Sequence, residues 1–272
     1  TVNAKPALHL IPNAHLDPAW LWDWREGFTE MLATTRTVLD LMDEFPELTF
    51  VRGEAFLYRH VEQFDPSTFR RVRAMVEAGR WDVVGGMMLQ SDMNLPATET
   101  CLRHLLYAQR YFLDRFGTPA RVGWSADCFG HSLAVPDLLA AAGIEAYSYY
   151  RPNRVPPQGT YWWDGPAGAR LLVHHPTVGG YIAERHDMAA RLDKILSRAQ
   201  AGPCRHIACY MGLGNHGGHP TRRMIADMHA WAQAHPDVEV RFSTFSRLFD
   251  ALRAEVSTLP EGTVPVFRGE LN

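Results

Sequence analysis

Short uninterrupted apolar runs alternate with longer stretches whose apolar positions recur at helical spacing, and this alternation organises almost the whole chain. Runs at 8–12, 49–52, 81–85, 121–125, 146–150, 170–174, 206–211 and 238–242 predict strands. Between them, Phe28, Met31, Leu32, Thr35, Val38, Leu39 and Met42 fall at i, i+3, i+4 and i+7. Leu102, Leu105, Leu106, Phe112, Leu113 and Phe116 follow the same spacing, so both stretches predict amphipathic helices. A strand that is apolar at every position is buried on both faces and needs helices on either side. The pattern therefore predicts an α/β fold with a mainly parallel sheet, and seven or eight strands suit a barrel or near-barrel. No internal repeat or Gly/Ser linker divides the chain, so one domain over 1–272 is expected. One stretch breaks the rhythm. At 151–168, Pro and Gly cluster around Tyr161, Trp162 and Trp163, which reads as a β-excursion packing aromatics on the barrel rim, or as one ring presented to a ligand.

Composition narrows the function classes. At 272 residues the chain can bury a substantial core, and its 46% hydrophobic and 21% charged content is that of an ordinary enzyme-like domain. A formal charge of -3 gives no basis for binding nucleic acid. No apolar run approaches the ~20 residues that cross a bilayer. Residues 1–5 lead into a short strand rather than a signal sequence, so a soluble, cytoplasmic protein with no membrane partner is expected. Cys101, Cys128, Cys204 and Cys209 show no C-x-x-C spacing, which predicts reduced thiols rather than a zinc knuckle or disulfide framework. The start lacks Met, and 269–272 follows a strand-like 264–267 without a cap or turn. These ends are expected of the N-terminal part of a longer multidomain protein.

In α/β sheets, functional groups collect at the carboxyl ends of strands, so the residues after each apolar run carry the chemistry. After the first run come His15-Leu16-Asp17-Pro18-Ala19-Trp20. On an extended backbone His15 and Asp17 point to one side, so an imidazole and a carboxylate can reach the same divalent ion; the alternative is a loop with ordinary hydrogen bonds. After 81–85 come Asp92 and Asn94, which suit either sugar hydroxyls or loop formation. After 121–125 come Asp127-Cys128-Phe129-Gly130-His131-Ser132. A carboxylate at a buried strand end is costly unless it meets a metal or donors, which makes Asp127 the strongest single candidate. Gly130 is expected to allow a tight turn, Ser132 to cap a helix over 134–142, and His131 either to orient Asp127 or to lie in that helix's first turn. After 206–211, Asn215 and His216 to His219 surround a glycine pair that lets backbone approach a ligand, or forms an exposed turn. His174 and His175 read as structural. Trp20, one step beyond the His–Asp pair, can stack on the C–H face of a sugar whose hydroxyls bind carboxylates, which makes carbohydrate the expected ligand class. Most of Trp22, Trp24 and Trp124 are expected in the core.

The ordered set H-x-D-x-x-W, D-x-N, D-x-F-G-H-S and G-x-G-[DN]-H-G-G-x-P, spanning His15 to Pro220, resembles the catalytic domain of glycoside hydrolase family 38, the α-mannosidases. The likeness covers essentially the whole chain. It implies a seven-stranded, mainly parallel β/α barrel of the glycoside hydrolase and deacetylase type. It also implies retaining, zinc-dependent hydrolysis of α-linked mannosides, with a mannose-containing oligosaccharide as partner. One Zn2+ would be held by His15, Asp17 and Asp127, although cobalt or manganese also suits these residue types. Asp127 would double as nucleophile. Trp20 would lie beneath the sugar, with Asp92, Asn94, Phe129, His131, Asn215 and His216 as further substrate contacts. Two departures stand out. Many members carry Asp as general acid/base where this chain has Asn215, an amide that cannot give or take a proton near neutral pH. The family's fourth ligand, a histidine, is expected beyond Asn272, so this chain is expected to bind zinc weakly until the remaining domains of the full-length enzyme complete the pocket. Two rivals remain: a metal-dependent polysaccharide deacetylase, in which metal-bound water attacks, and a mannose-binding domain with an impaired acid/base.

Overall fold

All six residues of the first strand, β1 (Ala7–Pro12), are buried, as a run with no polar face must be. The structure is a computed structural model and describes residues 5–152, 158–183, 188–199 and 202–272. After β1 come α1 (Trp24–Glu44), β2 (Phe50–Arg52), α2 (Ala55–Phe64), α3 (Pro66–Glu77), β3 (Trp81–Val83), α4 (Thr98–Phe116), β4 (Val122–Ser125) and α5 (Val135–Ala141). The chain continues with β5 (Ala146–Tyr149), β6 (Gly159–Asp164), β7 (Arg170–His175), α6 (Met188–Ala199), β8 (His206–Met211), α7 (Arg222–Ala234), β9 (Glu239–Phe242), α8 (Phe245–Val256) and β10 (Val266–Arg268). Every strand expected from an apolar run forms.

The strands are arranged as β8-β1-β9, β10-β6-β7-β5-β4 and β2-β3. β6 and β7 pair antiparallel, and the other ladders are parallel. A single bridge, Asn13 to Val51, ties β1 to β2, and the Gly85 N–H donates to the Val122 carbonyl at 2.8 Å to tie β3 to β4. The expected barrel is thus not one continuous hydrogen-bonded sheet. Both edges of β7 are occupied, by β5 and by the antiparallel β6, so no edge remains for β8. Tyr210 on β8 reaches across instead, its hydroxyl 2.6 Å from Ser148 Oγ and 3.3 Å from the His174 carbonyl.

Inside this curved arrangement Ile11, Val51, Val84, Val122, Ala146, Leu172 and Tyr210 meet in one cluster, closed by Phe245, Leu248 and Phe249 of α8. Each Val, Ile, Leu or Phe among them contributes about 1.5–3 kcal/mol on full burial. A larger cluster lies between the outer faces of β1, β2, β3 and β8 and the helices packed on them, α6 and α7 included. Helix ends follow the sequence. Asp23 Oδ1 accepts from the Arg25 and Glu26 N–H groups at the start of α1, and Gly117, with φ 73, ends α4 in a left-handed conformation that costs glycine little. Ser132 does not cap α5 as expected. Ala134 takes the cap position with no side-chain bond, and Ser132 contributes its carbonyl to Val135 N–H instead.

The β-excursion packs its aromatics inward. Tyr161 and Trp163 are fully buried; Tyr161 shares a hydroxyl bond with Tyr149 at 2.8 Å, and the Trp163 indole donates to the Gly269 carbonyl. Residues 153–157 of that stretch lie outside the described residues. The four cysteines are buried and free. Among the described residues, no helix is long and apolar enough to cross a membrane.

Candidate metal centre and its rim

β1 delivers the segment 13–17 to the carboxyl end of the strands, where the glycine-rich loop after β8 pins it. His15 C=O accepts from Gly217 N–H at 2.9 Å, Leu16 bridges His216, and Asp17 N–H donates to the Asn215 carbonyl at 2.9 Å. Held extended on both sides of Leu16, the two side chains face one way, with His15 Nε2 3.2 Å from Asp17 Oδ1. The Trp22 indole donates to the Asp17 carbonyl at 3.0 Å and fixes the exit from the loop. Gly27 is needed for the same turn, because a Cβ there would lie 2.1 Å from the Pro18 carbonyl oxygen.

β4 delivers Asp127 to the same place. One ligand atom each from His15, Asp17 and Asp127 lie within 4.8 Å of one another, and among the described residues this is the group of His, Cys, Asp or Glu side chains able to hold a metal ion. One imidazole nitrogen and two carboxylate oxygens form a mixed N/O donor set that fits zinc and several other divalent cations. His15 is 6% exposed, so an ion there is partly shielded from water.

Four residues outside the sequence-based expectations complete the surroundings. The Arg151 guanidinium forms an ion pair with Asp127 Oδ1 and lies 5.0 Å over the Phe129 ring. Its signal was available: it directly follows the run at 146–150, where chemistry collects. Tyr181 packs edge-on against His15 at 4.9 Å, and burial first, then the Asp127 carboxylate, pushes its phenol above the ordinary range. Nothing in the pattern around Tyr181 announces it. Gln90 accepts from Ala126 N–H through Oε1 at 2.7 Å, holding the peptide just before Asp127. Glu54 accepts from Gln90 N–H at 3.1 Å. Burial raises its carboxyl from the usual value, opposed next by the nearby His15 imidazole.

The expected rim residues divide. Trp20 is 59% exposed and meets Trp22 edge-on at 5.5 Å, so its indole is open to a ligand. Phe129 is exposed beneath Arg151. His216 packs on Trp22 at 4.0 Å and lies 3.1 Å from Glu26 Oε1, and Asn215 supports Asp17 through its backbone carbonyl. Asp92 serves its own loop: Oδ1 accepts from Asn94 N–H and Leu95 N–H, while Asn94 Nδ2 donates to Asn272 Oδ1 at 2.7 Å. His131 departs from the expected ligand contact. It is fully buried, with Nε2 donating to the Arg151 carbonyl at 2.8 Å and Nδ1 3.1 Å from the Tyr147 hydroxyl. The carbonyl can only accept, which fixes the proton on Nε2 and makes Tyr147 the donor to Nδ1. Gly130 does not adopt the left-handed conformation of a glycine turn, and a Cβ there would crowd the side-chain tips of Asn94 and Asn272. His174 and His175 are buried and structural, His174 bonding Thr160 and His175 donating to the Tyr150 carbonyl.

Comparison with known proteins gives a consistent result. The profile described as glycosyl hydrolases family 38 N-terminal domain matches residues 5–270. Alpha-mannosidase 2C1 of Homo sapiens is 29% identical over 261 residues, which are 94% of this chain and 25% of that protein. The chain thus spans about a quarter of the length of that relative. The crystal structure of an alpha-mannosidase from Enterococcus faecalis superposes with a TM-score of 0.82 at 23% identity, over 98% of this chain and 31% of that one. A putative polysaccharide deacetylase from Mycobacterium smegmatis shares the fold with a TM-score of 0.60 at 15% identity, over 94% and 93% of the two chains.

Proposed function

Because the chain belongs to glycosyl hydrolase family 38, as an N-terminal domain of that family, we propose that it carries the metal site and nucleophile of a retaining, zinc-dependent α-mannosidase acting on mannose-containing oligosaccharides. The observation that carries the reading is the convergence of His15, Asp17 and Asp127 from two strand ends onto one point. Zinc held by these three side chains would supply Lewis-acid contacts to sugar hydroxyls. The chemistry of the chain itself starts at Asp127. Its carboxylate oxygen attacks the anomeric carbon, the bond from that carbon to the leaving oxygen breaks, and the electron pair leaves with that oxygen, which takes a proton from a general acid. Water then attacks the same carbon from the opposite side, giving a proton to that same group, now acting as base; the bond to Asp127 breaks, and the carboxylate is restored with net retention. Arg151 pairs with Oδ1 of this carboxylate. Trp20 offers its exposed face to the sugar ring. Asn215 cannot be the proton donor, so that role falls to another group of the complete enzyme.

The parallel strands around one interior cluster support a barrel-like frame for this site. The buried free cysteines support a reducing, cytoplasmic setting. Likeness to a deacetylase extends to the fold, and a deacetylase would leave Asp127 unmodified. A fluorinated mannosyl reagent that traps the glycosyl-enzyme is expected to label Asp127 of the full-length protein, as read by peptide mass. Asp127→Asn is expected to abolish turnover with the fold intact. A variant of near-normal rate, or a trapped label elsewhere, would overturn the assignment.

A further inference from the structure

Glu54 stands out on geometric grounds. It follows β2 at the same end of the strands as the metal trio, and its φ of 69 makes it the one non-glycine residue in the left-handed region among the described residues. Glutamate is poorly suited to that conformation and glycine well suited, so the position retains a side chain against the preference of its own backbone. That side chain turns inward, lining a small internal pocket with Gln90, Trp124, Ser125 and Tyr147. There its Oε1 accepts from Gln90 N–H, and Gln90 Oε1 accepts from Ala126 N–H, so two hydrogen bonds connect Glu54 to the residue before Asp127. His15, Asp17 and the buried Arg52 all act on its charge. The guanidinium nitrogens of Arg52 have no hydrogen-bond partner among the described residues, which leaves Glu54 as a compensating charge.

Resting on the metal site proposed above, we propose that Glu54 is a positioning residue. Its carboxylate ties the end of β2 through Gln90 to the segment carrying Asp127, and, ionised when a cation occupies the trio, it adds its charge to the field that holds the ion. A carboxylate outside the ligand set acts in this way by orienting ligands and adding to the field at the ion.

The test titrates the full-length protein with Co2+, following its visible d–d absorption, and measures mannoside turnover and thermal unfolding of the same samples. Glu54→Gln keeps the shape and the acceptor for Gln90 while removing the charge, and is expected to weaken Co2+ binding about 10-fold. It is also expected to shift the absorption band and to lower kcat more than it raises KM. Glu54→Gly relieves the backbone and is expected to weaken Co2+ at least as much. If Glu54→Gln alone fails to fold, Arg52→Met/Glu54→Gln removes the uncompensated guanidinium and is measured in its place against Arg52→Met. Unchanged Co2+ affinity and spectrum in these variants, with only the unfolding temperature moved, would overturn the proposal and leave Glu54 a structural residue. Asp127→Asn in parallel separates the two readings. An inactive Asp127→Asn beside a wild-type-like Glu54→Gln refutes only the role of Glu54, whereas a fully active Asp127→Asn refutes the mannosidase assignment on which it rests.

Discussion

Asp17 and Asp127 place two carboxylates close enough to repel, and replacing one of them tests whether the site is built for a cation. Their ligand atoms are at most 4.8 Å apart. Two unit charges at that distance repel by about 3.5 kcal/mol at an effective dielectric of 20 and by about 0.9 kcal/mol in water. The side chain of Asp17 is 29% exposed and that of Asp127 12% exposed, and Arg151 pairs with Asp127, so screening and pairing bring the net penalty toward the lower figure. Asp17→Asn keeps the size and an acceptor for His15 while removing one charge. In chelator-treated protein it is expected to stabilise this domain by about 1 kcal/mol, a rise of roughly 2–4 °C in Tm.

With zinc present the order reverses. An ion that binds only the folded protein at 1,000 times its Kd stabilises by about 4 kcal/mol. The full-length wild-type protein is therefore expected to gain several degrees on zinc addition, and Asp17→Asn, which lacks one of the three ligands of this domain, to lose most of that gain. Calorimetric or fluorescence-detected melting of both proteins, with chelator and with zinc, gives the four required values. If Asp17→Asn melts lower than wild type under chelator, or keeps the full zinc-dependent rise, the carboxylates are not a cation site.

Two further outcomes follow from buried polar groups. Burial lowers the His131 imidazole from 6.5 to about 4, and those of His9 and His174 to about 3. Above pH 6.5 both folded and unfolded chains carry these rings neutral; below it the unfolded chain takes up protons that the folded chain refuses, so stability falls from pH 6.5 towards 4 by up to about 1.4 kcal/mol per pH unit for each ring. Urea unfolding at several pH values should show a shallower decline for His131→Gln than for wild type, and parallel slopes would contradict the linkage. Arg80 Nη2 donates to the carbonyls of Met42, Phe45 and Leu48 where α1 ends, and Arg80→Met is expected to cost about 2 kcal/mol in the same assay; a loss below about 0.5 kcal/mol would mean that water replaces the guanidinium.

How far the sequence reveals this molecule depends on whether a property is local. Apolar runs specify strands because burial on both faces is written into consecutive residues, and the His15–Asp17 spacing specifies a shared direction because alternation is a property of the extended backbone. What closes the frame is not local. Whether β7 offers an edge to β8 depends on β6 folding back antiparallel, and its Pro- and Gly-rich approach carries no period to announce that return. The site divides along the same line. Asp127 is legible because a carboxylate after an apolar run needs compensation. Its compensator Arg151, and Gln90 and Glu54 that brace the peptide before it, come from other strand ends, and their contacts exist only once those ends converge. His131 shows the converse: its motif looks chemical, but the ring is spent holding the Arg151 carbonyl. It therefore acts on Asp127 at one remove, by placing the residue paired with that carboxylate, and a motif alone cannot distinguish a side chain that touches a ligand from one that positions another side chain to do so.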